Sequence, residues 1–504
     1  MVKKDGARDE VRIGDRWPTL AALMLAAMVI MLDNSVLNVA LPTIGTVLHA
    51  STAELQWVVT AYSLTFGGLL LTTGNLADRL GRKRVLAIGL TVMAAGSLLV
   101  LVTGSATQLA FVRALIGVGA ALAMPSTLSL IYTTFTGPVR LKATGLWSSV
   151  SMAGIAVGPV LAGIMLAGLS WQWLFLINVP VAVVAVPVIL WVIPESREAT
   201  GERIDLPGAV LSVGFLAALI NGLSSGPDAG WLSATVLGSL AAAVVLAGLF
   251  CWRELTAPQP MLDLRRIATR AFAVPAVVEG TAFLALAAVM FIQTQLVQLV
   301  LGFTPLQAGL LSLAPVIVMV LANSLVARVG ARVPARLMIA GGMSILAAGT
   351  LVMAVWPTSV VAIVAGMSVL MIGVRAALTT VAIEVINALP RERAGVGSAL
   401  NDTFQEIGGA IGVALLGALL NQAYQAALPA GAPAAVRASV AGALADPAWV
   451  DLGRVAFASG AAVALGVGAV VMLLVGLVAS LVHRPAADQG WTAAAPSTEE
   501  PVLD

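Results

Sequence analysis

Six ionisable side chains, Asp33, Arg113, Glu279, Arg375, Asp402 and Glu406, each interrupt a long apolar run. An ionisable group in hydrocarbon costs at least about 2.5–3.5 kcal/mol, so each is a functional candidate by default. Asp402 and Glu406 are four residues apart and therefore share one face of a helix. Two carboxylates on one face in low dielectric repel each other and disfavour double ionisation. Such a pair can hold a proton or a cation, but poorly both. That competition is the minimal chemistry of a proton-for-cation exchanger; a polar stripe facing a water-filled cavity is the alternative. Glu279 and Arg375 lie at similar depth in two other runs, where Arg375 is expected to pair with Glu279 or Asp402.

Asp33 is about 15 residues into the first apolar run, roughly 22 Å at 1.5 Å per residue. That leaves about 8 Å to the far edge of a ~30 Å hydrocarbon layer. Arg113 enters its own run from that edge and is about 5 residues deep, again roughly 8 Å. The matching depths allow a salt bridge. Tyr62, Phe66, Trp147, Phe283 and Phe291 are candidates for stacking on flat cations, although membrane-core packing is the better explanation of any single one.

Other chemistry has little support. Cys251 is the one cysteine, so an internal disulfide is impossible, and His49 and His483 are far apart. No metal cluster, cofactor loop or nucleophile–base constellation is evident. An enzyme and a nucleic-acid-binding protein are both disfavoured, and no cofactor is expected.

The elements that carry these residues are membrane spans. Of the 504 residues, 59% are apolar and only 10% are charged, against about 25% charged in soluble domains. Fourteen spans are predicted, at about 18–40, 54–74, 84–103, 108–131, 143–166, 171–193, 205–224, 231–252, 271–299, 305–327, 334–355, 359–382, 394–423 and 455–482. Lipid cannot satisfy backbone polar groups, so these must be helices. The basic N-terminus followed by an apolar run resembles a signal peptide, but the run is too long and lacks a small-residue cleavage site. It is read as an uncleaved first helix.

Loop charge tests the count. With alternating sides, 23 of the 27 Lys/Arg residues fall on the side of the N-terminus, and only Arg437 and Arg454 fall in loops on the other. This positive-inside pattern places both termini in the cytoplasm.

The chain also repeats itself. Pro138–Gly145 (PVRLKATG) recurs as Pro390–Gly397 (PRERAGVG), 252 residues later. Asp78–Arg84 (DRLGRKR) is echoed by Ala327–Val333 (ARVGARV), with Ala327 in the Asp position. The predicted organisation is a six-helix half (1–195), two inserted helices with linkers (196–270) and a second six-helix half (271–483). An outer loop at about 421–452 is expected to form a short hairpin or helix, and 484–504 to be a disordered tail. Parallel halves of this kind place a substrate site between them.

Several motifs carry a family resemblance. Gly74-Asn-Leu-Ala-Asp-Arg-Leu-Gly-Arg-Lys-Arg84 resembles the loop 2–3 signature of the major facilitator superfamily, with Asp78, Arg79 and Gly81 as gating residues. Topology alone would explain its basic residues but not the Asp–Gly spacing. Gly154-x-x-x-Gly158-Pro159-x-x-x-Gly163 resembles the antiporter signature of that superfamily, and small residues at this spacing also let helices approach closely. Leu32-Asp-Asn-Ser-Val-Leu-Asn-Val-Ala-Leu-Pro42 resembles the signature of its 14-helix drug/proton antiporters. Trp171-Gln-Trp-Leu-Phe-Leu-Ile-Asn-Val-Pro180 and Leu301-Gly-Phe-Thr-Pro-Leu-Gln-Ala-Gly309 fit the same family. Arg113-Ala-Leu-Ile-Gly-Val-Gly119 matches the helix 4 arginine motif of the proton antiporters.

The resemblance covers nearly the whole chain. It implies an all-α polytopic protein with the major facilitator fold in a 6 + 2 + 6 arrangement. It further implies a multi-pass pump of the bacterial cytoplasmic membrane, functional as a monomer. Such a pump exports lipophilic or cationic drugs, dyes or antiseptics against protons. Asp33 and Arg113 would serve proton coupling, and Asp402, Glu406 and Glu279 would bind substrate or proton. The alternative is the same fold exporting a lipid, a siderophore or a natural product. One departure concerns dications: Leu310–Ala327 lacks the acid that some members carry in helix 10.

Overall fold

The computed structural model describes residues 17–197, 205–258, 260–262, 264–330, 332–387 and 394–482. Pro390–Arg393 of the second repeat, His483 and the 484–504 tail lie outside these residues, as does the Glu384 side chain. Among the described residues every regular element is helical, and fourteen helices are long and apolar enough to cross a membrane. They are α1 (Trp17–Val47), α2 (Thr52–Leu80), α3 (Arg82–Val102), α4 (Ala106–Thr134), α5 (Gly137–Leu166), α6 (Trp171–Val192) and α7 (Leu206–Ala229). The rest are α8 (Ala234–Thr256), α9 (Phe272–Val300), α10 (Pro305–Gly330), α11 (Ala335–Val355), α12 (Val360–Val381), α13 (Leu400–Ala427) and α14 (Val450–Val482).

Local chemistry marks several starts. Ser51 and Thr304 head capping boxes with Glu54 and Gln307, each satisfying two backbone donors reciprocally. Prolines at 42, 125, 159 and 187 sit inside helices. Neighbouring helices make such breaks tolerable in lipid.

Within the first six spans, α1 packs on α5 and α6, α2 on α4, and α3 on α4 and α6. The same pairings recur among α9–α14: α9 on α13 and α14, α10 on α12, and α11 on α12 and α14. The hairpin α7–α8 stands outside both sets, with α7 lying against both α2 and α13. Leu216 and Ile220 of α7 form an apolar cluster with Leu64 of α2 and with Ala410 and Ala414 of α13.

The two sets meet differently at their two ends. On the side away from the basic loops, the start of α10 packs against the end of α5, and Gln298 of α9 donates to the Val39 carbonyl of α1 at 2.9 Å. Toward the basic side, α5 and α10 part company, and Leu141, Met152, Leu321 and Leu325 are exposed. The 421–452 segment holds two short helices, Ala434–Ala438 and Val440–Leu444. It folds back on α13 through Tyr424, whose hydroxyl donates to the Val436 carbonyl at 2.7 Å, and reaches α2 where Thr52 donates to the Ala438 carbonyl at 3.3 Å.

Candidate functional site

Five helices of the first set converge on Asp33. Its carboxylate accepts from the Arg113 guanidinium of α4 through Oδ2 and from the Asn178 amide of α6 through Oδ1, the latter at 2.7 Å. Asn178 also reaches Ser97 Oγ of α3 at 2.9 Å. Asp33 is 2% exposed and Arg113 is completely buried. Tyr62 of α2 lies face-on beneath the guanidinium, 4.4 Å from ring centroid to Cζ, and Phe175 flanks it at 5.8 Å. Arg113 Nε and Nη2 and the Tyr62 hydroxyl remain buried without hydrogen-bond partners. An ion pair this dry is held by geometry, because removing either partner strands a buried charge.

The second cluster lies on α9 and α13. Glu279 is 1% exposed and accepts from Gln405 at 2.8 Å, while its other oxygen has no partner. Asn401 lies close to both Glu279 and Asp402. Asp402 and Glu406 are partly exposed and close enough for their charges to interact. Glu406 faces α2, within reach of the Ser63 hydroxyl. Gly67 permits this approach, since a Cβ there would come within 2.7 Å of the Glu406 Cβ. Glu406 thereby lies within electrostatic range of Arg113 and Tyr62 across the junction of the two sets. The three acids and the Asp33–Arg113 pair thus line one charged seam.

Some expectations change. Arg375 meets neither Glu279 nor Asp402; it donates to Asn323 of α10 at 2.8 Å, because its helix turns this position toward α10. Tyr62, Phe66 and Phe291 are buried, and Tyr62 is occupied by Arg113. Phe66 packs beside Tyr62 with centroids 5.5 Å apart. Trp147 and Phe283 keep partly exposed faces and are the aromatic candidates left open to a cargo.

In the loop 2–3 motif, Asp78 pairs with Arg82 at 2.7 Å, and Arg79 is exposed. Gly81 adopts φ +109°, a region open to glycine and strained for other residues. A Cβ there would also strike the Glu195 carboxylate at 2.6 Å. Glu195, which gave little signal in the sequence, accepts from the Lys83 backbone N–H at 3.2 Å and approaches Arg84 at 3.4 Å. A carboxylate at the positive N-terminus of α3 is well placed electrostatically.

The α5 glycine motif divides its contacts. Gly154 packs on Met28 of α1 and Gly158 on Ser35 of α1, whereas Pro159 meets Gly309 and Gly163 meets Pro305–Leu306 of α10. Asn178 and Ser97 are additions that sequence reasoning missed. Asn178 lies in the quoted helix 6 motif, but nothing in its spacing marks it as a partner of Asp33.

Comparison with known proteins agrees with this architecture. The profile of the Major Facilitator Superfamily matches residues 23–413. The multidrug efflux pump LfrA of Mycolicibacterium smegmatis is 33% identical over 80% of each chain. The methyl viologen resistance protein SmvA of Salmonella typhimurium is 30% identical over 80% of this chain and 82% of its own. The puromycin resistance protein pur8 of Streptomyces alboniger is 32% identical over 80% and 81%. Among solved structures, a bacterial homologue of the human lysosomal transporter Spinster, in an inward-facing and unoccupied conformation, superimposes with a TM-score of 0.68 at 16% identity, covering 97% of this chain and 100% of that one. The chain belongs to the major facilitator superfamily and stands, with its fourteen spans, among relatives named for drug efflux and resistance.

Proposed function

We propose that the protein is a proton-coupled antiporter that exports lipophilic and cationic compounds across a bacterial cytoplasmic membrane, with both termini in the cytoplasm. The observation that carries this reading is the charged seam itself. Three acids cluster on α9 and α13, and one of them, Glu406, lies within electrostatic range of the arginine of the buried Arg–Asp pair. A proton arriving at Asp33 weakens its hold on Arg113. The guanidinium, with two idle nitrogens, is then drawn electrostatically toward Glu406. A cation bound at Glu406 and Asp402 is thereby repelled. Proton and cargo need not share one carboxylate for one to displace the other. The halves, residues 1–195 and 271–483, would rock about the seam, with the α5–α10 contact closing the outer side and the loop 2–3 motif bracing the inner one.

A second reading keeps the fold and changes the cargo to a natural product. Relatives at similar identity favour it, including one from Streptomyces glaucescens named for tetracenomycin C resistance and export, 31% identical over 80% of this chain. Uptake assays in inside-out vesicles separate the two. An imposed pH gradient should drive uphill accumulation of a cationic dye, and a protonophore should abolish it. Accumulation confined to neutral or anionic compounds would favour the second reading. Accumulation that ignores the gradient would refute proton coupling.

A further inference from the structure

At the basic-side end of the α7–α8 hairpin lies a pair of acids unrelated to the charged seam. Asp205 precedes α7 and Glu254 closes α8; they are 6% and 3% exposed. Asp205 Oδ1 is fully engaged, accepting from the Gly208 backbone N–H at 3.0 Å and from Arg253 at 3.1 Å. Glu254 Oε2 is likewise engaged, accepting from the Leu262 N–H at 2.7 Å. The other oxygen of each, Asp205 Oδ2 and Glu254 Oε1, is buried with no partner. Both idle oxygens crowd the same spot over Gly208, where a Cβ would lie 2.6 Å from Glu254 Oε1 and 2.8 Å from Asp205 Oδ2. A cavity of about 240 Å³, lined by Glu254, Leu255, Ala257, Pro260, Leu264 and Arg265, connects Glu254 with the surface.

Charge and valence decide what fits. Two ionised carboxylates face the single guanidinium of Arg253, and Arg265, an exposed cavity residue, is the other described cation beside them. The neighbouring α2 reaches the linker through the neutral Thr72, which donates to Met261 Sδ at 3.0 Å. A hard metal ion would need about six oxygen ligands, and two idle oxygens do not supply them. One hydrogen shared by the two carboxyls would satisfy both idle oxygens and cancel the uncompensated charge.

We propose that Asp205 and Glu254 share one proton between Asp205 Oδ2 and Glu254 Oε1, a proton-binding site in the inserted hairpin separate from the acids of the seam. The proton enters from water through the cavity beside Glu254. Its presence keeps Glu254 seated on the Leu262 N–H, so that the α8–α9 linker stays docked on α2 through Met261. Its loss sets two adjacent negative charges against one half-buried guanidinium.

The test compares the thermal unfolding midpoint of the purified full-length protein and its Glu254→Gln variant across pH. A group that holds a proton in the folded state contributes stability at low pH that is lost as pH rises. The glutamine reproduces the protonated form, donating to Asp205 and accepting from Leu262. The midpoint of the wild type should therefore fall relative to the variant as pH rises above the ordinary glutamate range. Parallel curves would overturn the proposal. Should the variant fail to fold, the unmutated protein gives a second reading with dicyclohexylcarbodiimide, which adds to protonated carboxyls in apolar surroundings. Peptide mapping should find Glu254 or Asp205 modified near neutral pH and spared at high pH. No modification of either acid at either pH would equally overturn it.

Discussion

At the scale of single residues, Asp33 is the centre of the account. Arg113 and Asn178 occupy its two oxygens, so its charge is fully compensated until a proton arrives. Asp33→Asn is expected to abolish uphill efflux of every cargo in an imposed pH gradient, since an amide cannot carry the proton. Arg113→Ala should do similar damage by leaving a buried carboxylate without its counterion, a loss of about 3–5 kcal/mol. Asn178→Ala should cost less, about 1–3 kcal/mol, read as a lower thermal midpoint with transport retained at reduced rate. In the proposed mechanism, charge selectivity would rest on Asp402 and Glu406. At ~6 Å and an effective dielectric of ~20, one charge pair is worth about 3 kcal/mol before desolvation. Asp402→Asn and Glu406→Gln should each weaken dication binding about tenfold while sparing monocations, and the double variant should lose dications altogether. Binding isotherms for a matched mono- and dication settle it; equal losses for both would assign the pair to structure or to the proton alone. The absence of an acid in Leu310–Ala327 makes this pair the more decisive for dications.

At the scale of elements, the junction of α5 with α10 is built from backbone-close contacts. A Cβ on Gly163 would come within 2.5 Å of Leu306 Cα, and one on Gly309 within 2.9 Å of the Pro159 carbonyl carbon. Gly309→Leu should pry these ends apart. A penalty of only ~1.4 kcal/mol shifts a two-state ratio about tenfold, so spin-label distances between the outer ends of α5 and α10 should lengthen and transport should fall about tenfold. An unchanged distance distribution would show that this contact does not hold the outer side shut. The same elements explain what was legible beforehand. Helix number and depth follow from counting apolar residues, which is why Asp33 and Arg113 could be matched across 80 positions. Rotation about the helix axis depends on neighbours. Arg375 is therefore expected to meet an acid at its own depth while its helix turns it toward Asn323, and Tyr62, a candidate for stacking or for packing, lies under Arg113. Glu195 and Asn178 escaped notice because a helix-end acid and a single amide carry no period. Their roles exist only once α6 is laid against α3 and α1.

At the scale of the whole molecule, hydropathy carried the fold, and loop charge sets the expected sidedness. Each span must satisfy its own backbone, and each loop is sorted by charge, so errors in one helix would propagate visibly to the next. The sidedness inferred from Lys/Arg can be read directly. With Cys251 replaced by serine, because it is exposed, Arg197→Cys should react with impermeant thiol reagents only from the cytoplasmic side and Ala229→Cys only from outside. Labelling of both from one side would break the count at α7, the helix of the inserted pair that packs against both α2 and α13. The central claim is that cargo and protons exchange through the seam between Asp33–Arg113 and the acids of α9 and α13. Its most direct test is proton movement in proteoliposomes supplied with a gradient of a quaternary ammonium dye and no initial pH difference. The account predicts that dye flowing down its gradient drives protons in the opposite direction in the wild type, and that Asp33→Asn drives none. Dye flux without proton counterflow in the wild type, or equal counterflow in Asp33→Asn, would contradict it.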